Sequence, residues 1–168
     1  MGTTGAFIAR HSRKDRKEDT DMPEITTSVQ IILPQHCNGY AKPRLFGGQM
    51  MAWIDIVGAV AARRYTQRAV TTVCVDNLIF LNPAYLNDTV VQEAQVTWTG
   101  RTSLEVRVDS YVEQLDGTRK PVNRAYAVYV ALNDDDAPTE VLPFIPITEA
   151  ECREYEAAIR RREIRMSR

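Results

Sequence analysis

Phe46 to Thr66 reads FGGQMMAWIDIVGAVAARRYT, and this stretch decides the fold. It is rich in methionine and alanine, which favour helices, and its last turns carry Arg63 and Arg64, whose charges suit the negative end of a helix dipole. The stretch therefore predicts a helix of about five turns. From Met50 to Ala62 apolar residues occupy every side rather than one stripe, which predicts a helix enclosed by the rest of the fold.

The segments around this helix carry the pattern of β-strands. A β-branched run, Ile25 to Leu33, predicts a first strand that Pro34 ends. Gly100-Arg101 and Asp116-Gly117 predict tight hairpins between antiparallel neighbours. Four β-rich runs follow the helix, at residues 71–81, 89–98, 102–113 and 121–132. The order predicts an α+β fold in which an antiparallel sheet wraps around the long central helix.

Two further patterns concern the outer side of the sheet. In the run at 102–113 apolar residues alternate with polar ones such as Glu105 and Asp109, so the polar face is expected to meet water. Thr148 and Glu151 form a capping box that predicts a C-terminal helix. The stripe expected to bury that helix is Cys152, Tyr155 and Ile159. Its arginines are interpreted as a solvated helix end; they are Arg160–Arg162, Arg165 and Arg168.

Length and composition bound the organisation and the partners. A chain of 168 residues suits one domain, with residues 1–22 as a flexible leader, 23–147 as the core domain and 148–168 as the C-terminal helix. The basic stretch of the leader fits a solvated tail better than a nucleic-acid arm, because acids alternate with its bases. A net charge of −1 provides no global field for nucleic acid or an anionic membrane.

The cysteines and the N-terminus bear on the compartment. Cys37, Cys74 and Cys152 fit neither a disulfide framework nor a zinc site, which favours a cytoplasmic protein. No apolar signal core is visible, so neither secretion nor a lipid anchor is expected. The apolar run of the helix, interrupted by Asp55, falls short of the roughly 18 residues that span a membrane.

Asp55 is the residue most in need of an explanation. An ionised carboxylate in an apolar helix loses several kcal/mol of hydration unless it is partnered. Asp55 is therefore either a structural acid, bonded to amides or to an arginine, or a reacting group, because perturbed carboxylates mark active sites.

Gly47-Gly48 opens the same helix. Glycine lets a ligand oxygen approach the backbone, and the free first-turn amides can form an oxyanion hole at the positive end of the dipole. The alternative is a tight entry turn. From the helix start to Asp55 is about 10 Å, so amides and carboxylate can flank one elongated ligand.

The sequence resembles the hotdog-fold acyl-CoA thioesterases, in their acyl-CoA hydrolase branch. The matching blocks are HCN at 36–38, RLFGGQMMAWID at 44–55, VCVDNLIFLNP at 73–83, GRTSLEV at 100–106 and YVAL at 129–132. The resemblance covers roughly residues 25 to 147. It implies a sheet wrapped around a central helix, dimers with active sites at the subunit interface, and frequent assembly into hexamers.

The resemblance also implies roles for particular residues. Asp55 matches the catalytic carboxylate, and Asn38 matches an asparagine that faces it from the partner subunit. Family members place this asparagine about six residues before the position of Phe46. Asn38 lies eight before it, and strict spacing would select Tyr40. The alternative for Asn38 is a turn residue, since Asn-Gly is a good turn dipeptide.

The remaining assignments concern the thioester and coenzyme A. The thioester carbonyl is expected on the amides of Gly47, Gly48 and Gln49. The phosphates of coenzyme A are expected near Arg101, Thr102 and Ser103, although Arg101 equally fits an exposed hairpin arginine. Phe80 and Trp98 are candidates for an acyl channel or for the core.

Two classes of function remain. The first is hydrolysis of an acyl-CoA thioester to fatty acid and coenzyme A, with Asp55 as general base or nucleophile and without metal or cofactor. The second is a non-catalytic acyl-CoA binding or sensing module. A hotdog hydratase is disfavoured, since no histidine stands at positions 44 to 50.

Overall fold

The computed structural model describes residues 25–39 and 41–167, with Asn77 described by its backbone alone. The predicted leader, Tyr40 and Arg168 lie outside the described residues. A short 3₁₀ turn, Pro34–His36, precedes the second strand. In chain order the other elements are β1 (Thr26–Ile31), β2 (Cys37–Asn38), β3 (Arg44–Leu45), α1 (Gly47–Thr66), β4 (Ala69–Phe80), β5 (Thr89–Thr99), β6 (Ser103–Glu113), β7 (Arg119–Leu132) and α2 (Glu149–Met166).

Five antiparallel strands form the main sheet, in the order β1-β5-β6-β7-β4. The sheet curls around α1, which contacts all five of its strands. β2 and β3 form a separate short ribbon just before α1. The predicted α+β architecture is confirmed, and the predicted strand ends agree with the observed ones to within two residues.

The predicted hairpins are present. β5 pairs with β6, and β6 with β7, both antiparallel. Gly117 has φ +82°, the left-handed region in which glycine is unstrained. At the other hairpin a Cβ on Gly100 would come within 2.7 Å of the Trp98 ring, so the turn lies close over that indole.

Helix α1 buries only one face within its own chain. That face comprises Met50, Trp53, Ile54, Val57, Gly58, Ala61 and Ala62. On the opposite face Met51 and Ile56 are exposed, with 61% of Ile56 accessible. The prediction of a helix enclosed on every side is therefore wrong for the single chain, because the apolar residues facing away from the sheet have no cover among the described residues.

Helix α2 begins at the predicted capping box. Thr148 Oγ1 accepts from the Glu151 backbone N–H, and Glu151 Oε2 accepts from the Thr148 backbone N–H. The predicted apolar stripe is wrong at Cys152 and Ile159, which are exposed, whereas Tyr155 is half-buried against Phe144. The buried residues of α2 are Glu151 and Ala158.

The buried face of α2 is charged instead. Arg161 donates to Glu105 of β6 at 2.7 Å, and Arg165 bonds both Glu105 and Asp76 of β4. Glu105 is fully buried. The outer face of β6 therefore meets α2 rather than water, and these two arginines are interior ion-pair partners rather than solvated ones. Arg160 and Arg162 are exposed, as predicted.

Candidate active site

Asp55 lies at the middle of α1 and reaches the edge of the sheet. Its side chain is partly buried, not sealed in the core. Thr72 of β4 donates from Oγ1 to Asp55 Oδ1 at 2.5 Å. Thr72 is exposed on an edge strand, next to an irregularity in the pairing of β4 with β7. The carboxylate is therefore oriented by a hydroxyl and remains close to solvent.

The main chain of Asp55 is bonded as well. Tyr129 of β7, fully buried, donates from its hydroxyl to the Asp55 carbonyl oxygen at 3.0 Å. Burial, and then the negative charge of Asp55, raise the pKa of the Tyr129 phenol well above its usual 10. The phenol therefore stays protonated and remains a donor.

The start of α1 presents free backbone amides. The N–H groups of Gln49 and Met50 both donate to the carbonyl of Phe46. Within the described part of the chain the amides of Gly47 and Gly48 meet no acceptor. Gln49 thus uses its own amide inside the first turn, and the amides left to hold a developing oxyanion are those of the two glycines.

A groove of about 340 Å³ opens beside these amides. Its wall includes Gly47 and Met50 from α1, Phe80 from β4, and Asn38 and Arg44 from the short ribbon. Leu45, Leu81 to Ala84 and Val122 complete the mostly apolar lining. The groove can hold an acyl group, or an extended part of a larger ligand, with a polar ligand atom hydrogen-bonded to the Gly47 amide.

The structure brings together some of the predicted site residues and separates others. Asn38 is exposed at the end of β2, opposite Arg44, and shares the groove with Gly47. Among the described residues it makes no hydrogen bond to Asp55, so its assignment as a partner-subunit residue stays a prediction. Phe80 lines the groove, whereas Trp98 is buried beside the β5–β6 hairpin.

The three residues assigned to coenzyme A lie in the β5–β6 hairpin. Backbone groups of Arg101 and Thr102 accept from Val141 and Ala131, and Ser103 accepts from Gly100. The Arg101 side chain is exposed. These contacts explain the turn, and the role of the turn in binding phosphate stays a prediction.

Two residues of the site were not found from the sequence. They are Thr72 and Tyr129, and neither residue type is unusual in a β-strand. The curl of the sheet around α1 brings both side chains to Asp55. Within residues 25–39 and 41–167, no cluster of side chains suited to a metal ion is present. No described helix is long and apolar enough to cross a bilayer.

A curled antiparallel sheet, with free amides at the start of its central helix and a hydroxyl-bound carboxylate at the middle, defines a hotdog fold of the thioesterase class. The family model described as the thioesterase superfamily matches residues 43–117. The chain is 34% identical over 125 residues to an uncharacterized acyl-CoA thioester hydrolase of Bacillus subtilis, YkhA, covering 74% of this chain and 73% of that protein. The chain belongs to the hotdog-fold acyl-CoA thioesterase family.

Solved structures agree with this placement. The structure of an apo hexameric acyl-CoA thioesterase has 33% identity and a TM-score of 0.79, covering 85% of this chain and 91% of that one. An acyl-CoA hydrolase from Staphylococcus aureus, in complex with butyryl coenzyme A, coenzyme A and coenzyme A disulfide, has 28% identity and a TM-score of 0.78, covering 85% and 87%. The chain spans about a quarter of the length of the rat acetyl-coenzyme A thioesterase that it also matches, 27% of that protein.

Proposed function

We propose that this protein hydrolyses acyl-CoA thioesters to a free carboxylic acid and coenzyme A. The observation that carries the proposal is the placement of two complementary groups on one helix: free amides at Gly47 and Gly48, and an oriented carboxylate at Asp55. A thioester needs both, because negative charge develops on its carbonyl oxygen while water or a nucleophile attacks its carbonyl carbon.

The thioester carbonyl oxygen accepts hydrogen bonds from the amides of Gly47 and Gly48. In the general-base route Asp55 takes a proton from water as the water oxygen bonds to the carbonyl carbon. Collapse breaks the carbon–sulfur bond, and the proton passes to the sulfur of coenzyme A. In the nucleophile route Asp55 itself displaces the thiolate, and water hydrolyses the resulting anhydride. Thr72 holds Oδ1 in both routes, so we assign the attack to Oδ2.

Crystallised variants of the S. aureus hydrolase support this choice of residues. Alanine replaces an aspartate in one of them and a threonine in another, and those two positions are 17 apart, the same separation as Thr72 and Asp55. A third variant replaces an asparagine 15 positions before the aspartate. In this chain that spacing selects Tyr40, whereas Asn38 lies 17 before Asp55. We keep Asn38 as the amide of the site, since it lines the groove beside Gly47.

A second copy of the chain completes the site in this proposal. The outer edge of β4 has no strand partner among the described residues, and apolar side chains are exposed along it. They are Val73, Ile79, Phe80 and Leu81, and Met51 and Ile56 of α1 are exposed as well. Pairing of two such edges would cover them and bring the partner's groove toward Asp55. Three pairs would then form a hexamer, as in the hexameric relative.

The phosphates of coenzyme A are assigned to the β5–β6 hairpin at Arg101, Thr102 and Ser103. The exposed guanidinium of Arg101 offers a planar, permanently charged donor for phosphate oxygens. Arg101→Ala is therefore expected to raise KM for acyl-CoA while leaving kcat nearly unchanged. Equal KM in Arg101→Ala and wild type would remove this hairpin from the binding site.

A thiol-release assay over a series of acyl-CoAs, from acetyl to palmitoyl, tests the reaction. Asp55→Asn should lower kcat by about 10³-fold or more, because the isosteric amide can neither accept the proton nor displace the thiolate. Asp135→Asn, in the exposed turn after β7, is the matched control and should retain wild-type turnover. Equal turnover in wild type and Asp55→Asn would remove Asp55 from the mechanism. Tight binding of acyl-CoA by a wild type without turnover would establish the sensing module instead.

A further inference from the structure

Tyr129 and Thr72 reach the same helical residue from adjacent strands. In the pairing of β4 with β7, Thr72 stands directly opposite Tyr129. Thr72 bonds the carboxylate of Asp55, and Tyr129 bonds its main-chain carbonyl. One rung of the sheet thus holds Asp55 at two points.

We propose that Tyr129 is a positioning residue for the hydrolysis: its hydroxyl fixes the rotation and axial position of α1 so that the Asp55 carboxylate stays on Thr72. The proposal rests on the role given to Asp55 in the proposed function. It assigns Tyr129 no contact with substrate, since its side chain is fully buried beneath the helix.

The physical reason lies in what else holds α1 to the sheet. Its buried face is apolar, and apolar packing is largely non-directional. Other side-chain hydrogen bonds between α1 and the sheet are longer and lie nearer the helix ends, from Gln92 to Met50 Sδ at 3.6 Å and from Arg64 to Thr26 at 3.3 Å. Apolar packing resists separation of helix and sheet more strongly than a small rotation or slide. A hydrogen bond to a main-chain carbonyl is directional and short-ranged, so it opposes those motions. A displacement of about 1 Å at the carboxylate is enough to lower turnover by up to about 100-fold.

Gly58 provides independent evidence that the packing beneath α1 leaves room for the Tyr129 hydroxyl. A Cβ at position 58 would collide with the Tyr129 hydroxyl oxygen and lie 3.1 Å from the ring carbon Cζ. Glycine inside a helix costs about 1 kcal/mol relative to alanine. Here it leaves the space through which the phenol crosses beneath α1 to reach Asp55.

Tyr129→Phe keeps the ring and removes the hydrogen bond. It should lower kcat about 10-fold while KM stays within about twofold, because binding of the thioester is unchanged and the attack is misaligned. Tyr126→Phe is the matched control, on the same strand but packed against Arg161 of α2. It should keep wild-type kcat even where its melting temperature falls as much as that of Tyr129→Phe. Equal losses of kcat in both variants would mark a general stability effect and overturn the proposal.

A second pair of variants separates stability from positioning. Gly58→Ala should lower both the melting temperature and kcat, since the new methyl displaces the hydroxyl. Adding Tyr129→Phe to Gly58→Ala should restore much of the melting temperature and should leave kcat no higher than in Tyr129→Phe alone. Recovery of wild-type kcat in the double variant would refute a role for the hydroxyl.

The two proposals fail in different ways. An inactive Asp55→Asn together with a fully active Tyr129→Phe would overturn only the positioning role. A fully active Asp55→Asn would overturn the role given to Asp55 in the proposed function, and with it the reason for positioning that side chain.

Discussion

Replacing Gly47 by proline removes one backbone N–H from the proposed oxyanion hole with little change to the helix. Gly47 is the first helical residue of α1, where proline is favoured because that amide has no intrahelical acceptor. Phe46 before it has φ −67° and ψ 131°, in the extended region that a following proline requires. A Cβ at position 47 would lie 3.6 Å from the Phe80 ring, an ordinary contact. We therefore expect the variant to fold as the wild type does.

The size of the effect follows from the number of donors. Among the described residues, Gly47 and Gly48 alone offer free amides in the first turn of α1, so the substitution removes one of the two donors. Loss of one oxyanion-hole donor typically lowers kcat by about 10²–10³-fold, or about 2.7–4 kcal/mol of transition-state stabilisation. Gly47→Ala adds a comparable Cβ and keeps the amide, so its loss should be much smaller, below about tenfold.

Thiol release from a fixed acyl-CoA, measured for wild type and both variants, separates the two effects. Enzyme at nanomolar concentration keeps the exposed thiol of Cys152 from contributing to the signal. A circular-dichroism melt within a few degrees of wild type would show that Gly47→Pro is folded. If Gly47→Pro then lost no more activity than Gly47→Ala, the Gly47 amide would not be an oxyanion donor and the site would need another source of stabilisation.

Three further predictions concern stability and assembly. Glu105→Ala should lower the free energy of unfolding by about 3 kcal/mol in urea titrations, because it removes the fully buried carboxylate shared by Arg161 and Arg165, which keep Glu154 and Asp76, and Glu113→Ala, at an exposed pair, should cost much less. Burial opposes ionisation of Glu154, but its hydrogen bonds from arginines prevail and lower its pKa. The ionised Glu154 carboxylate therefore stabilises the folded protein fully above its unfolded-state pKa of about 4.3, and this contribution is lost as the pH falls through the lower folded-state pKa. Lowering the pH should reduce the free energy of unfolding more for wild type than for Glu154→Gln. Ile79→Lys should reduce the oligomer to smaller species in sedimentation velocity, and an unchanged mass would show that the β4 edge is not the interface.

The fold could be predicted because its deciding patterns are local. The composition of residues 46–66 indicates a helix whatever surrounds it, and the hairpin signals at Gly100 and Gly117 report backbone conformation directly. Apolar residues on every side of α1 predicted cover on every side, and the structure provides it only on the face toward the sheet. They could not show that the sheet supplies only half of it within one chain.

The sequence indicated two parts of the candidate site: the glycine pair that opens α1, and a side chain that conflicts with its own neighbours in sequence. Asp55 stands out because a carboxylate is costly among apolar residues, and the conflict is visible without a structure. Thr72 conflicts with nothing, so its role depends on the curl of the sheet.

The sequence also did not reveal which surface of the sheet α2 packs against, for a related reason. The apolar stripe was sought on the helix itself, whereas the surface it meets is polar. Glu105, read as a solvent-facing residue of an alternating strand, is a fully buried acid. Its arginine partners lie 56 and 60 positions away, beyond the reach of any local pattern.

Because α2 is held to the sheet mainly by ion pairs, with Tyr155 and Ala158 as its main apolar contacts, its detachment would expose less hydrocarbon to water than separation of the strands around α1. Native-state hydrogen exchange should therefore show its amides opening together at a lower free energy than those of β5 and β6, with a weaker dependence on denaturant. The C-terminal helix would then behave as a separate cooperative unit, which can detach from the sheet while the strands around α1 stay folded.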